Sequence, residues 1–169
     1  MTSDARDLVN NIEMVVLDFD GVLTNNKVIV MEDGTEAVIC SRSDGFGLER
    51  IKELGIHLFV LSKEKNPIVS ARCKKLNIPC IQGCDDKAVR LRKEIESLGL
   101  ALQQVAYIGN DINDIPCLQI VGLPVCVADA HPEARRLAKI VTSKKGGEGA
   151  VREFCDIVAS NRRTDPIIV

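Results

Sequence analysis

The sequence predicts an α/β fold: a parallel sheet with helices on both faces and one β-hairpin inserted after the first strand. Three observations lead there. Short β-rich runs alternate with helical patterns along nearly the whole chain, the pattern of a parallel sheet covered by its own crossovers. One Asp-Gly pair, in "KVIVMEDGTEAVIC", joins two strand-like runs directly and so places a hairpin inside that alternation. Polar residues stand at the ends of the apolar runs, where open parallel sheets build their sites.

The elements follow in order. Residues 14–18 (MVVLD) read as the first strand. Residues 27–31 and 36–40 flank Asp33-Gly34 and make a hairpin flap over about 27–40. Asp44 is placed to cap a helix that runs to about Leu54, with Gly55 to end it. HLFVL (57–61) is the second strand of the sheet, and Asn66-Pro67 opens the next helix. A short strand at 79–82 precedes a charged amphipathic helix over 86–98. Residues 105–108 (VAYI) read as a buried strand, followed by a short helix from about Asn113 and a strand at 125–127. Pro132 opens a helix to Lys139, 140–142 is the last strand, and the Gly-rich "KKGGEG" reads as a turn before a final helix over 148–159. A flexible tail occupies about 161–169.

The 169 residues suffice for one domain, 1–169, with a sizeable core. A net charge of −2 and 3% aromatic residues give no footprint for nucleic acid or for an anionic membrane. The seven cysteines form no CxxC pair and only two histidines accompany them, so zinc-site spacing is absent and reduced thiols in a cytoplasmic protein are expected. The N-terminus, "MTSDARDLVNN", is polar and is read as neither signal peptide nor membrane span.

The strand exits carry the chemistry. Asp18 and Asp20 leave the first strand, Ser62 the strand 57–61, and Asn110 and Asp111 the strand 105–108, while Lys87 begins the helix past 79–82. Carboxylates and an amide are hard oxygen ligands suited to Mg²⁺. Lys87 and Ser62 suit a phosphate, as point charge and hydroxyl donor. One carboxylate can attack phosphorus to form an aspartyl-phosphate, and the other can serve as acid and then base. A carboxylate approaching a phosphate dianion meets two like charges. At ~4 Å and an effective dielectric of ~20, each repels by ~4 kcal/mol, ~8 in all. A divalent cation with a lysine offsets repulsion of that size.

These residues carry a resemblance. "DFDGVLT" resembles the DxDGxxT motif of the haloacid dehalogenase (HAD) superfamily, and Ser62, Lys87 and "GNDIND" (109–114) fall where its other motifs belong, over about Ile12 to Val158. The hairpin, "RSDGFGL" and "GGEGAVREF" are similar to the small capless sugar-acid phosphatases, which act on 3-deoxy-octulosonate 8-phosphate or on nonulosonate (KDN or sialic acid) 9-phosphates, and to the phosphatase-like domain that follows some N-acylneuraminate cytidylyltransferases. The resemblance implies a Rossmann-like HAD fold and Mg²⁺. It implies Asp18 as nucleophile and metal ligand, and Asp20 as acid/base that lends its carbonyl to the metal. Ser62 and Lys87 become phosphate binders, and Asn110 and Asp111 belong to the metal site. Glu64 and Arg72 match positions that read the sugar acid in the nonulosonate branch; octulosonate phosphatases have a Gly-Arg pair where this chain has Lys63-Glu64. A phosphorylated sugar acid is the implied partner, and a homotetramer the implied assembly. The family pattern has aspartate at position 110, so Asn110 brings an oxygen without its charge.

Plainer readings stand beside these. Asp114 can simply cap a helix, Glu64 and Arg72 can be solvated helix charges, and His57 and His131 suit structural roles. Two other functions compete with a sugar-acid phosphatase: a weakly active oligomerisation domain accompanying a cytidylyltransferase, and a phospho-receiver domain. The latter fits the DxD spacing and the hairpin poorly.

Overall fold

Every apolar run between 14 and 142 that alternates with a helical pattern becomes a strand of one sheet, apart from the hairpin. The computed structural model describes residues 3–162. In chain order it has α1 (Ser3–Asn10), β1 (Met14–Leu17), the hairpin β2 (Thr24–Val30) and β3 (Glu36–Cys40), α2 (Arg42–Glu53), β4 (His57–Leu61), α3 (Ile68–Leu76), β5 (Cys80–Ile81) and α4 (Lys87–Ser97). There follow β6 (Val105–Gly109), α5 (Ile115–Leu118), β7 (Leu123–Cys126), α6 (Pro132–Arg135), β8 (Ile140–Val141) and α7 (Ala150–Arg162). Short 3₁₀ turns precede β6 and α5.

The six-stranded sheet has the order β5-β4-β1-β6-β7-β8 and is parallel throughout. β1 is central and fully buried, as its unbroken apolar run requires. α2 packs on α7 beside α1, while α5 lies against α4 and α6. The α2–α7 approach explains a glycine inside a helix: a Cβ on Gly47 would stand 3.0 Å from both Arg152 Cα and Cys155 Cβ.

Several expectations need correction. The polar N-terminus, for which the sequence predicts no element, is a helix, α1, which buries Val9. The cap of α2 is Ser41, whose hydroxyl accepts from the Ser43 N–H. Asp44 lies one turn further on, fully buried, and accepts from the Arg152 N–H at 2.9 Å. It therefore caps the first turn of α7 across 108 residues rather than its own helix. His131 takes the structural role expected of it, its Nδ1 accepting from the Glu133 N–H to cap α6. α6 stops at Arg135, short of Lys139, and β7 begins at Leu123. Asn161 and Arg162 belong to α7; the rest of the proposed tail, 163–169, lies outside the described residues. All seven cysteines are free thiols. Among the described residues no helix is long and apolar enough to cross a membrane.

Candidate active site

Register brings the strand exits level. Leu17 pairs with Val60 on one side and Ile108 on the other, so the residues after β1, β4 and β6 emerge at one edge of the sheet. Asp18 is still held by the ladder, its N–H donating to Ile108 at 3.0 Å. Asp18, Asp20, Ser62, Glu64, Asn110 and Asp111 all line one cavity of about 400 Å³ there.

Behind this cavity lies a buried ionic network. Lys87 Nζ stands 2.7 Å from Asp18 Oδ1 and 2.8 Å from Asp114 Oδ1, with all three side chains almost fully buried. Burial alone would lower the Lys87 pKa; the charges of Asp18 and Asp114 outweigh it and hold the ammonium above its usual value. Asp18 is pushed up by burial and by Asp114, against the pull of Lys87. Asp114 is saturated with donors. Tyr107 O–H gives to Oδ1 at 2.7 Å, and the Asn110 and Asp111 N–H groups give to Oδ2 at 2.8 and 3.2 Å. Burial raises Tyr107 well above its normal range, which keeps its hydroxyl a donor. Lys87 thus stands behind Asp18 rather than in the cavity wall.

Asn110 tests whether a cation fits. With the carboxamide oxygen turned inward, that atom lies 3.0 Å from the Asp20 carbonyl oxygen and 3.3 Å from Asp18 Oδ2. In that orientation three oxygens meet, and a cation among them would offset their repulsion. Octahedral Mg²⁺ at 2.0–2.1 Å sets neighbouring ligands roughly 3 Å apart, so the donor set and its spacing fit this ion. Rotated the other way, the Asn110 amide donates to the same two oxygens. Asp111 begins the following turn, its Oδ1 accepting from the Ile112 N–H.

The DxDGxxT spacing now has a physical reason. Thr24, fully buried, accepts from the Gly21 N–H at 3.1 Å and the Asn26 N–H at 3.2 Å, and its hydroxyl lies 3.4 Å from Asp20 Oδ1. Gly21 has φ +77°, and a Cβ there would collide with the Asn110 carboxamide. The "KKGGEG" loop is more than a turn before α7: a Cβ on Gly146 would stand 1.8 Å from the Gly21 carbonyl oxygen, and Gly147 N–H donates to Val22. Asp20 is raised by burial and by the charge of Glu64, which favours an acid carrying its proton. Ser62 Oγ accepts from the Glu64 N–H at 3.1 Å, leaving its own proton to donate into the cavity.

Arg72 is not brought to this cavity within the chain. Its guanidinium donates to the Ser41 carbonyl at 3.1 Å, at the root of the hairpin. Sequence reasoning assigned Asp114 a cap and passed over Tyr107, and both complete the Lys87 network. The available signal was an acidic residue four positions past the strand exit, on a turn that curls back under it.

A family model described as haloacid dehalogenase-like hydrolase matches residues 61–154. The 3-deoxy-D-manno-octulosonate 8-phosphate phosphatase of Escherichia coli K12 is 35% identical over 159 residues, covering 94% of this chain and 85% of that protein. The solved structure of the Yersinia pestis phosphatase of the same name matches with a TM-score of 0.93 at 33% identity, over 96% of this chain and 88% of the other. That from Moraxella catarrhalis, crystallised with magnesium ion, phosphate ion and KDO, gives 0.92 at 31% identity, over 96% and 94%. On this similarity, which spans nearly the whole chain and its site, the chain belongs to the haloacid dehalogenase-like hydrolases and is a phosphoric monoester hydrolase.

Proposed function

We propose that the protein hydrolyses the phosphate monoester of a sugar acid through an aspartyl-phosphate on Asp18, with Mg²⁺, and that its substrate is a nonulosonate 9-phosphate. The observation that carries the chemistry is the pairing of Asp18 with Lys87 at the floor of a cavity that Asp20 and Ser62 share. Asp18 attacks phosphorus, the ester P–O bond breaks, and Asp20 gives its proton to the leaving oxygen. Asp20 then takes a proton from water, which attacks the aspartyl-phosphate to release phosphate and restore Asp18. Ser62 donates to a phosphoryl oxygen, and Lys87, paired with Asp18 from behind, offsets part of the charge that gathers there. Asp18, the Asp20 carbonyl and Asn110, with Asp111 adjacent, would hold Mg²⁺, which would supply the larger share of that neutralisation.

The substrate reading rests on Glu64, which lies on the cavity wall beside Asp20. The names of the relatives favour a second reading, 3-deoxy-octulosonate 8-phosphate. The complete Asp18–Lys87–Asp114 network argues against a weakly active oligomerisation domain. The hairpin exposes Val28, Ile29, Val30, Met31 and Ile39, which supports a homotetramer. Arg72 keeps its expected role as carboxylate reader only through a neighbouring subunit. Seven free thiols suit the reducing cytoplasm.

The test is phosphate release, with Mg²⁺, from N-acetylneuraminate 9-phosphate, KDN 9-phosphate and 3-deoxy-octulosonate 8-phosphate. A higher kcat/KM on a nine-carbon ester is expected. A higher value on the octulosonate reverses the substrate assignment, and release from none of them contradicts the phosphatase reading.

A further inference from the structure

Two residues other than glycine adopt a positive φ among the described residues, and only one has an ordinary reason. Asn77, at φ +53°, is the left-handed C-cap that ends α3. Asn26, at φ +59°, ends no helix. It lies where the hairpin register shifts between Thr24 and Val28, six residues past the exit of Asp20. Such a bulge is served by glycine at no steric cost, so the backbone there needs no side chain. The one it has is placed suggestively. Asn26 lines the main cavity, and it also lines a second one of about 280 Å³ between the hairpin and the start of α3. Asp20 and Glu64 are the other residues common to both. The backbone N–H of Asn26 is taken by Thr24, whereas its carboxamide has no hydrogen-bond partner among the described residues. Lys27, Glu36 and Asn66 add polar groups to the second cavity, and Asn66 donates to Glu36 at 3.0 Å.

We infer that Asn26 is a specificity-determining residue: its free carboxamide, at the neck joining the two cavities, holds a hydroxyl of a polyol leaving group beside the general acid Asp20. The inference rests on the phosphatase reading and deepens it. Asp20 must face the ester oxygen on the leaving side, so the second cavity, which shares Asp20, runs along the alcohol rather than the phosphate. An amide both donates and accepts, which matches a hydroxyl better than it matches a second anion. An interaction of this kind is made equally before and at the transition state, so its loss raises KM more than it lowers kcat.

The test is Asn26→Gly, which keeps the left-handed backbone and removes only the carboxamide. Phosphate release is measured from N-acetylneuraminate 9-phosphate and 3-deoxy-octulosonate 8-phosphate, and from p-nitrophenyl phosphate, which has no hydroxyls. The ratio of kcat/KM for the better polyol ester to that for p-nitrophenyl phosphate is expected to fall about ten-fold, through KM. Asn26→Ala should show the same fall despite its strained backbone. An unchanged ratio in Asn26→Gly overturns the inference, as does a fall in Asn26→Ala alone, which would trace the effect to backbone strain. Wild-type protein that releases phosphate from no ester overturns the phosphatase reading and this inference with it.

Discussion

Asn110 carries the main departure from the family pattern, and its geometry says what that costs. Its carboxamide lies 3.0 Å from the Asp20 carbonyl oxygen and 3.3 Å from Asp18 Oδ2, so at the proposed metal site it would offer an oxygen without the charge of an aspartate. Asn110→Asp should therefore lower the Mg²⁺ midpoint of activity by about ten-fold. Asp111→Asn should raise it less, because Asp111 stands one residue past Asn110 and is occupied with the Ile112 N–H. If neither substitution moves the midpoint, the metal is held elsewhere. At this scale Asp18, Asp20, Ser62 and Asn110 were legible as candidates because each follows an apolar run, and parallel strands send such residues to the same side of the sheet. Asp114 was not, because capping a turn and gripping Lys87 leave the same trace in sequence. Only the curl of the turn, which returns both backbone donors to Oδ2, separates them. Within one chain Arg72 donates to Ser41 rather than reaching the cavity, a placement that the motif match carries no information about.

Among the elements, the strands were legible by their apolar runs, and the caps were less so. Ser41 and Asp44 are both good capping residues three positions apart, and local sequence cannot tell which helix each serves. Asp44 serves α7, a contact that exists only after the sheet has formed. Burial raises its pKa to about 6, although the Arg152 N–H, Arg72 and Lys144 work against that, and its Oδ2 has no hydrogen-bond partner among the described residues. An acid whose folded pKa is raised binds its proton more tightly folded than unfolded. Stability is therefore greatest below the unfolded value, near 3.8, and declines until pH passes about 6. Asp44→Asn keeps the acceptor for Arg152 without the charge. Thermal or urea unfolding should find variant and wild type similar at pH 4, with the variant gaining up to about 3 kcal/mol relative to wild type by pH 7. A difference that stays constant across that range would contradict the buried-charge account.

At the scale of the whole molecule, alternation of strand and helix implied a parallel sheet but left strand order open, since any right-handed winding satisfies it. The observed order puts β1 between β4 and β6, which is what gathers four separate motifs at one edge. The hairpin stands apart as its own two-stranded sheet, with Val30 63% and Ile39 56% exposed. Such a hairpin is marginal alone, and packing it against copies of itself would bury it. Light scattering is expected to give four times the chain mass, and Val30→Lys with Ile39→Lys a smaller species; a fully active wild-type monomer would rule the tetramer out. The proposed chemistry makes a more direct claim: Asp18 attacks phosphorus. The decisive measurement is phosphate release from a sugar-acid phosphate by wild type and Asp18→Asn, with circular dichroism to check the fold. Wild type should turn over with Mg²⁺, and the variant should fold normally and lose roughly 10³-fold or more. A folded Asp18→Asn protein that keeps most of the activity would contradict the account.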